Sequence, residues 1–374
     1  MQPIHNGGVT TPKGFLAAGI FCGIKKSKKK DLALISSEKI ASAAGVFTKN
    51  TVKAAPVVLD MGLIKMGLAQ NIIINSGNAN CSTGALGLKN AQIMAEATGP
   101  LTLVASTGVI GVQLPIDVIK TGIKKLKNVL SKSGGRSAAE AILTTDTFKK
   151  EIAVKIKING RDIYIGAMAK GSGMIHPDMA TMISVITTDA NISPTALKKA
   201  LSAAVQNSFN MISVDGDMST NDCVFILANG MSGSKEIKEK SKEFKLFLQA
   251  LDYICKYLAK EIVKDGEGAT KIFEVNVIGA KNDAEAKILA RAVTNSNLVR
   301  TAIYGSDPNW GRIMAALGST GIKFDPDLVE VTMDNLKSKV VLIKINLNSG
   351  SFNAIAWGCD LTEGYIKINA RYHT

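Results

Sequence analysis

Hydrophobic and polar positions along the chain follow two periods. Short apolar runs in "DLALISSE" (31–38), "NIIINSGNAN" (71–80) and "LTLVASTGVIG" (101–111) predict buried strands that end in loops of small residues. Helical spacing follows the last two, in "GLKNAQIMAEATG" and "PIDVIKTGIKKLKNVL". Strand, loop and helix in succession predict α/β layering. "EIAVKIKINGRDIYIGAMAK" (151–170) alternates around Asn159-Gly160, a hairpin signal. "ISVITTDANI" predicts a further strand, and "SPTALKKALSAAVQNSF" a helix with a serine cap and proline at its first position.

The C-terminal half continues the mixture. "NDCVFILANG" and "IFEVNVIGA" predict strands, and residues 241–271 predict a long helix ending at Gly266. "DAEAKILARAVTNSNLVRTAIY" predicts one helix, and the tail predicts alternating strands in "LVEVTMDN", "KVVLIKINL", "SFNAIAWGCDLT" and "GYIKINARY". No repeat, low-complexity segment or Pro- or Ser-rich linker divides the chain. A length of 374 residues allows two domains or one interwoven α/β structure.

Composition narrows the function. The formal charge is +14, but the lysines are dispersed. "KKSKKK" (25–30) reads as an exposed turn, and "SKEIKEKSKEFK" (234–245) as the solvated face of a helix. Aromatic residues make up 5% and do not interleave with the basic ones, so nucleic acid is not the expected partner. A mild attraction for anionic metabolites fits better. No apolar run is long enough for a membrane helix, and "MQPIHNGGVTTPKGF" has no apolar signal core, so a cytoplasmic location is expected. The five cysteines form no C-x-x-C pair, and the three histidines form no H-E-x-x-H. No metal site, serine triad elbow or phosphate loop is expected.

What remains is a set of polar, small-residue loops at the ends of apolar runs: "NSGNANCSTG", "STGVIG", "TTDT", "KGSGM", "SVDGDMSTND", "DGEGATK" and "GSDPNWGR". Each is compatible with an ordinary turn. Together they predict a shared site on a rigid scaffold. Within "KGSGMIHPDMATMISVITTDA" (170–190), Thr181 follows the small Ala180. A threonine hydroxyl is a weak nucleophile unless a base adjoins it, and a threonine at a chain N-terminus carries that base as its own α-amine. An α-amine titrates near ~7.7–8, suited to general base work at neutral pH. Thr181 reaches that state only if the Ala180–Thr181 bond breaks. Its hydroxyl can attack the preceding carbonyl to give an ester that water hydrolyses. The alternative is that Ala-Thr simply begins a strand.

"KGSGMIHPDMATM" closely resembles the cleavage and nucleophile motif of the ArgJ family, the ornithine acetyltransferases or glutamate N-acetyltransferases of arginine biosynthesis. The resemblance extends through "TTPKGFLAAGIFCGIKK", "AAGVFTKNTVKAAPV", "NSGNAN", "STGVIG", "TTDTF", "SVDGDMSTND", "DGEGATK", "GSDPNWGR" and the terminal "YIKINARYHT". It implies an α/β fold of layered sheets with flanking helices, ArgJ/DmpA-like. It also implies self-cleavage into an α chain (1–180) and a β chain (181–374), interwoven in one structure and assembled as α2β2. The implied reaction is ping-pong. N-acetylornithine acetylates Thr181 and leaves as ornithine, and glutamate leaves as N-acetylglutamate. No cofactor is required, and use of acetyl-CoA as a donor is left open.

The resemblance assigns Thr107 and Gly108 to an oxyanion hole. It assigns Thr144, Lys170, Thr181, Glu267, Asn369 and Thr374 to substrate contact. Lys170 suits a carboxylate and Glu267 an ammonium, and Lys170 would help keep the Thr181 amine neutral. "SVDGDMSTND" and "GSDPNWGR" receive no chemistry. His176 and Asp178 depart from the more neutral residues of the family pattern, and so does Cys81-Ser82 in "NSGNANCSTG". A self-cleaving aminopeptidase or amidase of similar fold is the competing enzyme, and a non-enzymatic basic binding protein the competing non-enzyme.

Overall fold

The computed structural model describes residues 1–176 and 182–370. Gln2–Ile4 (β1) and Phe15–Ile20 (β2) precede the long strand Leu32–Phe47 (β3). Ala55–Leu63 (α1), Leu68–Asn78 (β4), Gly84–Thr98 (α2), Thr102–Val109 (β5), Ile116–Asn128 (α3) and Gly135–Ala141 (α4) follow. Lys150–Ile158 (β6) and Arg161–Lys170 (β7) form the predicted hairpin. Asn159 and Gly160 both take positive φ, as a tight two-residue turn requires. Then come Ile183–Thr188 (β8), Pro194–Gln206 (α5), Ile212–Ser213 (β9), Cys223–Ala228 (β10) and Lys242–Lys264 (α6). Ile272–Ala280 (β11), Asp283–Asn295 (α7), Asn297–Gly305 (α8), Trp310–Gly318 (α9), Glu330–Asp334 (β12), Val340–Asn346 (β13), Phe352–Cys359 (β14) and Glu363–Asn369 (α10) complete the order.

A nine-stranded mixed sheet runs β1-β6-β7-β8-β10-β3-β4-β5, with β2 also paired to β3. A five-stranded sheet runs β12-β13-β11-β14-β9. Helices α5 and α6 pack between the sheets. Apolar residues of β6, β7, β8, β11 and β14 meet Leu197, Leu201, Ile254 and Leu258 of these helices in one continuous core. Helices α1 to α4 cover the β2–β5 end of the large sheet, where Ile119 and Ile123 of α3 meet Leu34, Ile73 and Val104. The architecture is the layered α/β one expected. Burial on both faces explains the near-continuous apolar runs of β8 and β10.

Four local expectations are corrected. "GYIKINARY" is not a strand: residues 363–369 form α10, because the Thr362 hydroxyl accepts the Gly364 and Tyr365 N–H groups and starts a helix. The predicted helix over 283–304 is two helices. Ser296 interrupts it, and its hydroxyl caps α8 by accepting the Val299 N–H. Residues 234–241 precede α6 rather than belonging to it, since Ser241 caps that helix through the Phe244 N–H; the helix also stops at Lys264, not Gly266. Finally, "KKSKKK" is not wholly exposed. Lys25 Nζ donates to the Lys30 and Leu143 carbonyls at 2.8 and 2.6 Å, and Lys30 pairs with Glu140 at 2.8 Å. Burial is the main cause that lowers the Lys25 amine to about 8.

Candidate active site

The ends of β5 and β7, the loops before β6 and β10, the turn after α6 and the end of α10 meet at one cavity of about 280 Å³. Its size suits a small metabolite. Thr107 and Gly108 reach it from the end of β5, Lys170 from the last position of β7, and Ser219, Thr220 and Asn221 from the loop entering β10. Thr144 and Thr145 come from the loop before β6, Glu267 from the turn after α6, and Asn369 from the last turn of α10.

Gly108 shows why this site needs glycine. Its φ is +135°, and a Cβ there would collide with the backbone of Gly77 and Asn78. The ladder between β4 and β5 is irregular at the same place, around Asn78. A bulge of this kind re-aims backbone groups beside a site. Asn221 ties the far wall to it, donating from Nδ2 to the Ala79 and Ser106 carbonyls at 2.6 and 2.8 Å. The "NSGNANCSTG" loop mostly braces itself. Asn75 bonds Asn78 and Ser106, and Asn80 bonds Gly87 and Thr83.

The two charges assigned to substrate are both buried, Lys170 at 3% exposure and Glu267 at 8%. Glu267 Oε2 accepts the Asn369 Nδ2–H at 2.8 Å. This contact depends on α10 lying close to the 265–271 turn. Gly268, with φ +70°, leaves room for the backbone of Gly364 and Tyr365, and the Thr362 hydroxyl donates to its carbonyl. Thr144 and Thr145 stand on the cavity wall, with the Thr145 hydroxyl bonded to that of Ser172 at 2.7 Å. Thr147 turns away, its hydroxyl bonded to Asp265.

Behind Lys170 lies a buried quartet that the motif reading did not identify. Lys150 Nζ contacts Asp146 at 2.8 Å and Asp265 at 2.6 Å, all three side chains being essentially inaccessible. Lys170 Nζ lies 3.7 Å from the other Asp146 oxygen. Asp146 also accepts the Gly171 and Thr144 N–H groups at 2.7 and 3.0 Å. Burial pushes the Asp146 carboxyl up, but Lys170, Lys150 and the Gly171 N–H together outweigh it and hold the group well below the usual carboxylate range. With Lys170 counted, two cations and two anions balance, so the quartet is neutral as a whole and the three groups behind Lys170 carry the single net negative charge that matches it. Replacing Lys150 with methionine leaves two buried carboxylates short of their cation. A loss of about 3–5 kcal/mol is expected, read from the urea midpoint.

The "SVDGDMSTND" loop grips the chain on both sides of 177–181. On one side, Asp215 accepts the Met174 and Ile175 N–H groups at 2.5 and 2.8 Å, and the Ile175 carbonyl accepts the Val214 N–H at 3.0 Å. On the other, Asp222 Oδ1 accepts the Met182 N–H at 3.0 Å, and the Met182 carbonyl accepts the Cys223 N–H at 3.2 Å. The sequence signal for this was the set of three aspartates, Asp215, Asp217 and Asp222, in one polar loop, but a turn explained them equally well.

Ala180, Thr181 and Asp178 lie outside the described residues, as does Thr374. His176 is half-buried at the edge of the described segment. "GSDPNWGR" is absent from the cavity wall; Trp310 starts α9 and is 62% exposed. Among the described residues no group of His, Cys, Asp or Glu is placed to hold a metal ion.

A family model described as the ArgJ family matches residues 16–374. The chain is 49% identical over 402 residues to the arginine biosynthesis bifunctional protein ArgJ of Caldanaerobacter subterraneus subsp. tengcongensis, covering 99% of this chain and 100% of that one. It is 49% identical over 397 residues to the protein of the same name from Symbiobacterium thermophilum, covering 98% and 99%. Among solved structures it is similar to an ornithine acetyltransferase from Mycobacterium tuberculosis complexed with ornithine, at 38% identity and a TM-score of 0.45, over 47% of this chain and 97% of that chain.

Proposed function

The chain belongs to the ArgJ family, and from that premise we infer that it is an acetyltransferase of arginine biosynthesis, moving the acetyl group of N2-acetylornithine to glutamate. The observation that carries the reading is the cavity in which a buried cation and a buried anion face the Thr107–Gly108 corner.

In this proposal the chain cuts itself between Ala180 and Thr181, and the α-amine released on Thr181 serves as base for its own hydroxyl. The hydroxyl attacks the acetyl carbon of N-acetylornithine. Thr107 and Gly108 donate hydrogen bonds to the oxygen as negative charge develops there. Lys170 pairs with the substrate carboxylate, while Glu267, held by Asn369, pairs with the side-chain ammonium of the donor. Ornithine leaves with the proton returned through the amine. Glutamate then brings its own amine to the acetyl-Thr181 ester, with Lys170 again meeting a carboxylate. Thr144 and Thr374 complete the substrate contacts.

No cofactor is needed for this cycle. Acetyl-CoA is proposed as a second acetyl donor to Thr181, in keeping with the designation "bifunctional" borne by the relatives. The proposed assembly is an α2β2 tetramer acting in the cytoplasm. Among the described residues no helix is long and apolar enough to cross a membrane.

The purified protein mixed with N-acetylornithine and glutamate tests the reading. Ornithine and N-acetylglutamate are expected to appear in equal amounts, followed by chromatography. Ornithine accompanied by free acetate, with no N-acetylglutamate, would instead make the chain a hydrolase.

A further inference from the structure

Lys170 is paired with Asp146 by charge, not by a direct hydrogen bond. Its Nζ lies 3.7 Å from Asp146 Oδ2. That is ion-pair distance, beyond the ~2.7–3.2 Å of an N–H···O bond. The cation is therefore attracted to its anion while that contact leaves its N–H donors unspent. It stands on the cavity wall, and the Asp146 side chain, fully inaccessible, stands behind it.

Asp146 is held too firmly to close the gap. Oδ1 accepts Lys150 Nζ at 2.8 Å and the Gly171 N–H at 2.7 Å, and Oδ2 accepts the Thr144 N–H at 3.0 Å. Lys150 is fixed in turn by Asp265 and by its place opposite Ala169 in the β6–β7 ladder. The Lys170 backbone pairs with Ile183 at the end of the β7–β8 ladder. One buried oxygen, Oδ2, thus binds the Thr144 amide and faces the Lys170 ammonium, and both residues line the cavity.

We propose that Asp146 is a positioning residue: it fixes the Lys170 ammonium and so sets how tightly the site holds the α-carboxylate shared by N-acetylornithine and glutamate. The proposal deepens the acetyltransferase reading and rests on it. An entering carboxylate meets a cation already in place, and it gains charge-assisted hydrogen bonds without first breaking one to Asp146. A direct Asp146–Lys170 bond would have made the substrate compete with a carboxylate already in contact. Because Lys170 meets a carboxylate in both half-reactions, Asp146 acts on both.

The experiment compares the full-length protein with Asp146→Asn, Lys170→Met and the double variant. The donors are N2-acetylornithine and N-acetylputrescine, the same donor without its α-carboxylate. The wild type is expected to favour N2-acetylornithine in kcat/KM. Asp146→Asn is expected to shrink that preference on the order of 10-fold or more. The loss should fall on KM for N2-acetylornithine and for glutamate, with kcat/KM for N-acetylputrescine little changed. In the Lys170→Met background the same substitution should alter the preference no further, since Asp146 acts through Lys170. An unchanged preference in Asp146→Asn, or an equal loss with both donors, overturns the assignment and leaves the acetyltransferase standing. So does a wild type that uses both donors equally well. A wild type that transfers from neither donor overturns the acetyltransferase reading, and this assignment with it. Should Asp146→Asn fail to fold by its melting curve, the double variant decides. Lys170→Met removes the surplus cation and leaves Lys150 opposite Asp265, so the double variant is expected to fold. A double variant that fails as the single one does means that Asp146 serves Lys150 alone, and overturns the assignment.

Discussion

Thr181→Ala is expected to leave the protein as a single full-length chain and to reduce acetyl transfer by on the order of 10⁴-fold or more. Both losses have one cause. Without the hydroxyl nothing attacks the Ala180 carbonyl, so no new N-terminus forms. Without a nucleophile the acetyl group has no intermediate to occupy. Intact mass and the ornithine-release assay separate the two effects. Thr181→Ser, which keeps a hydroxyl, is expected to restore a measurable part of both. A Thr181→Ala chain that still transfers at the wild-type rate would remove residue 181 from the chemistry. The fold on either side is expected to persist, because Asp215 and Asp222 bind main-chain N–H groups of Met174, Ile175 and Met182, which the substitution leaves unchanged.

Gly108→Ala carries the second large effect. The new methyl would be driven into the backbone of Gly77 and Asn78, at a φ of +135° that L side chains rarely adopt. Strands β4 and β5 must separate there, and the proposed oxyanion donors move with them. A fall of ~10²–10³-fold in kcat is expected, the usual cost of one lost oxyanion donor. A smaller change in KM is expected, since Lys170 and Glu267 lie on other elements. Strain of about 1–3 kcal/mol should accompany it in the melting curve. Gly318→Ala, at a helical glycine with open space around it, is the matched control and should leave kcat unchanged. An equal response of the two variants would mean that Gly108 has no special place in catalysis.

The motif reading located the parts of the site better than their supports. Thr107, Gly108, Thr144, Lys170, Glu267 and Asn369 were each singled out from the chain, and they line one cavity although they span residues 107 to 369. Asn221 lines the same cavity, and it was missed because an amide in a Ser/Thr/Asp-rich loop has a sufficient explanation as a turn. Lys150 was missed for a different reason. It sits in an alternating strand pattern where a lysine normally points to water, and its pairing with Asp146 and with Asp265, 115 positions away, makes its burial tolerable.

Periodicity and local chemistry are properties of neighbouring residues, so the chain alone settled the layered α/β class, the Asn159-Gly160 hairpin and the serine-capped helix at Ser193. It also carried the motifs of the ArgJ family. Where a local pattern admitted two outcomes, tertiary contact chose. "YIKIN" alternates like a strand, yet became a helix because Thr362 could bond both Gly268 and the first turn. Only that placement brings Asn369 onto Glu267. Ionisation followed the same rule. The sequence could show that Asp146 and Asp222 were acids, but not that two lysines would hold the carboxyl of one well below the usual range while burial would push that of the other well above it. Those states depend on the local dielectric and on charges brought from distant strands, and both come into being only when the sheets close over the site.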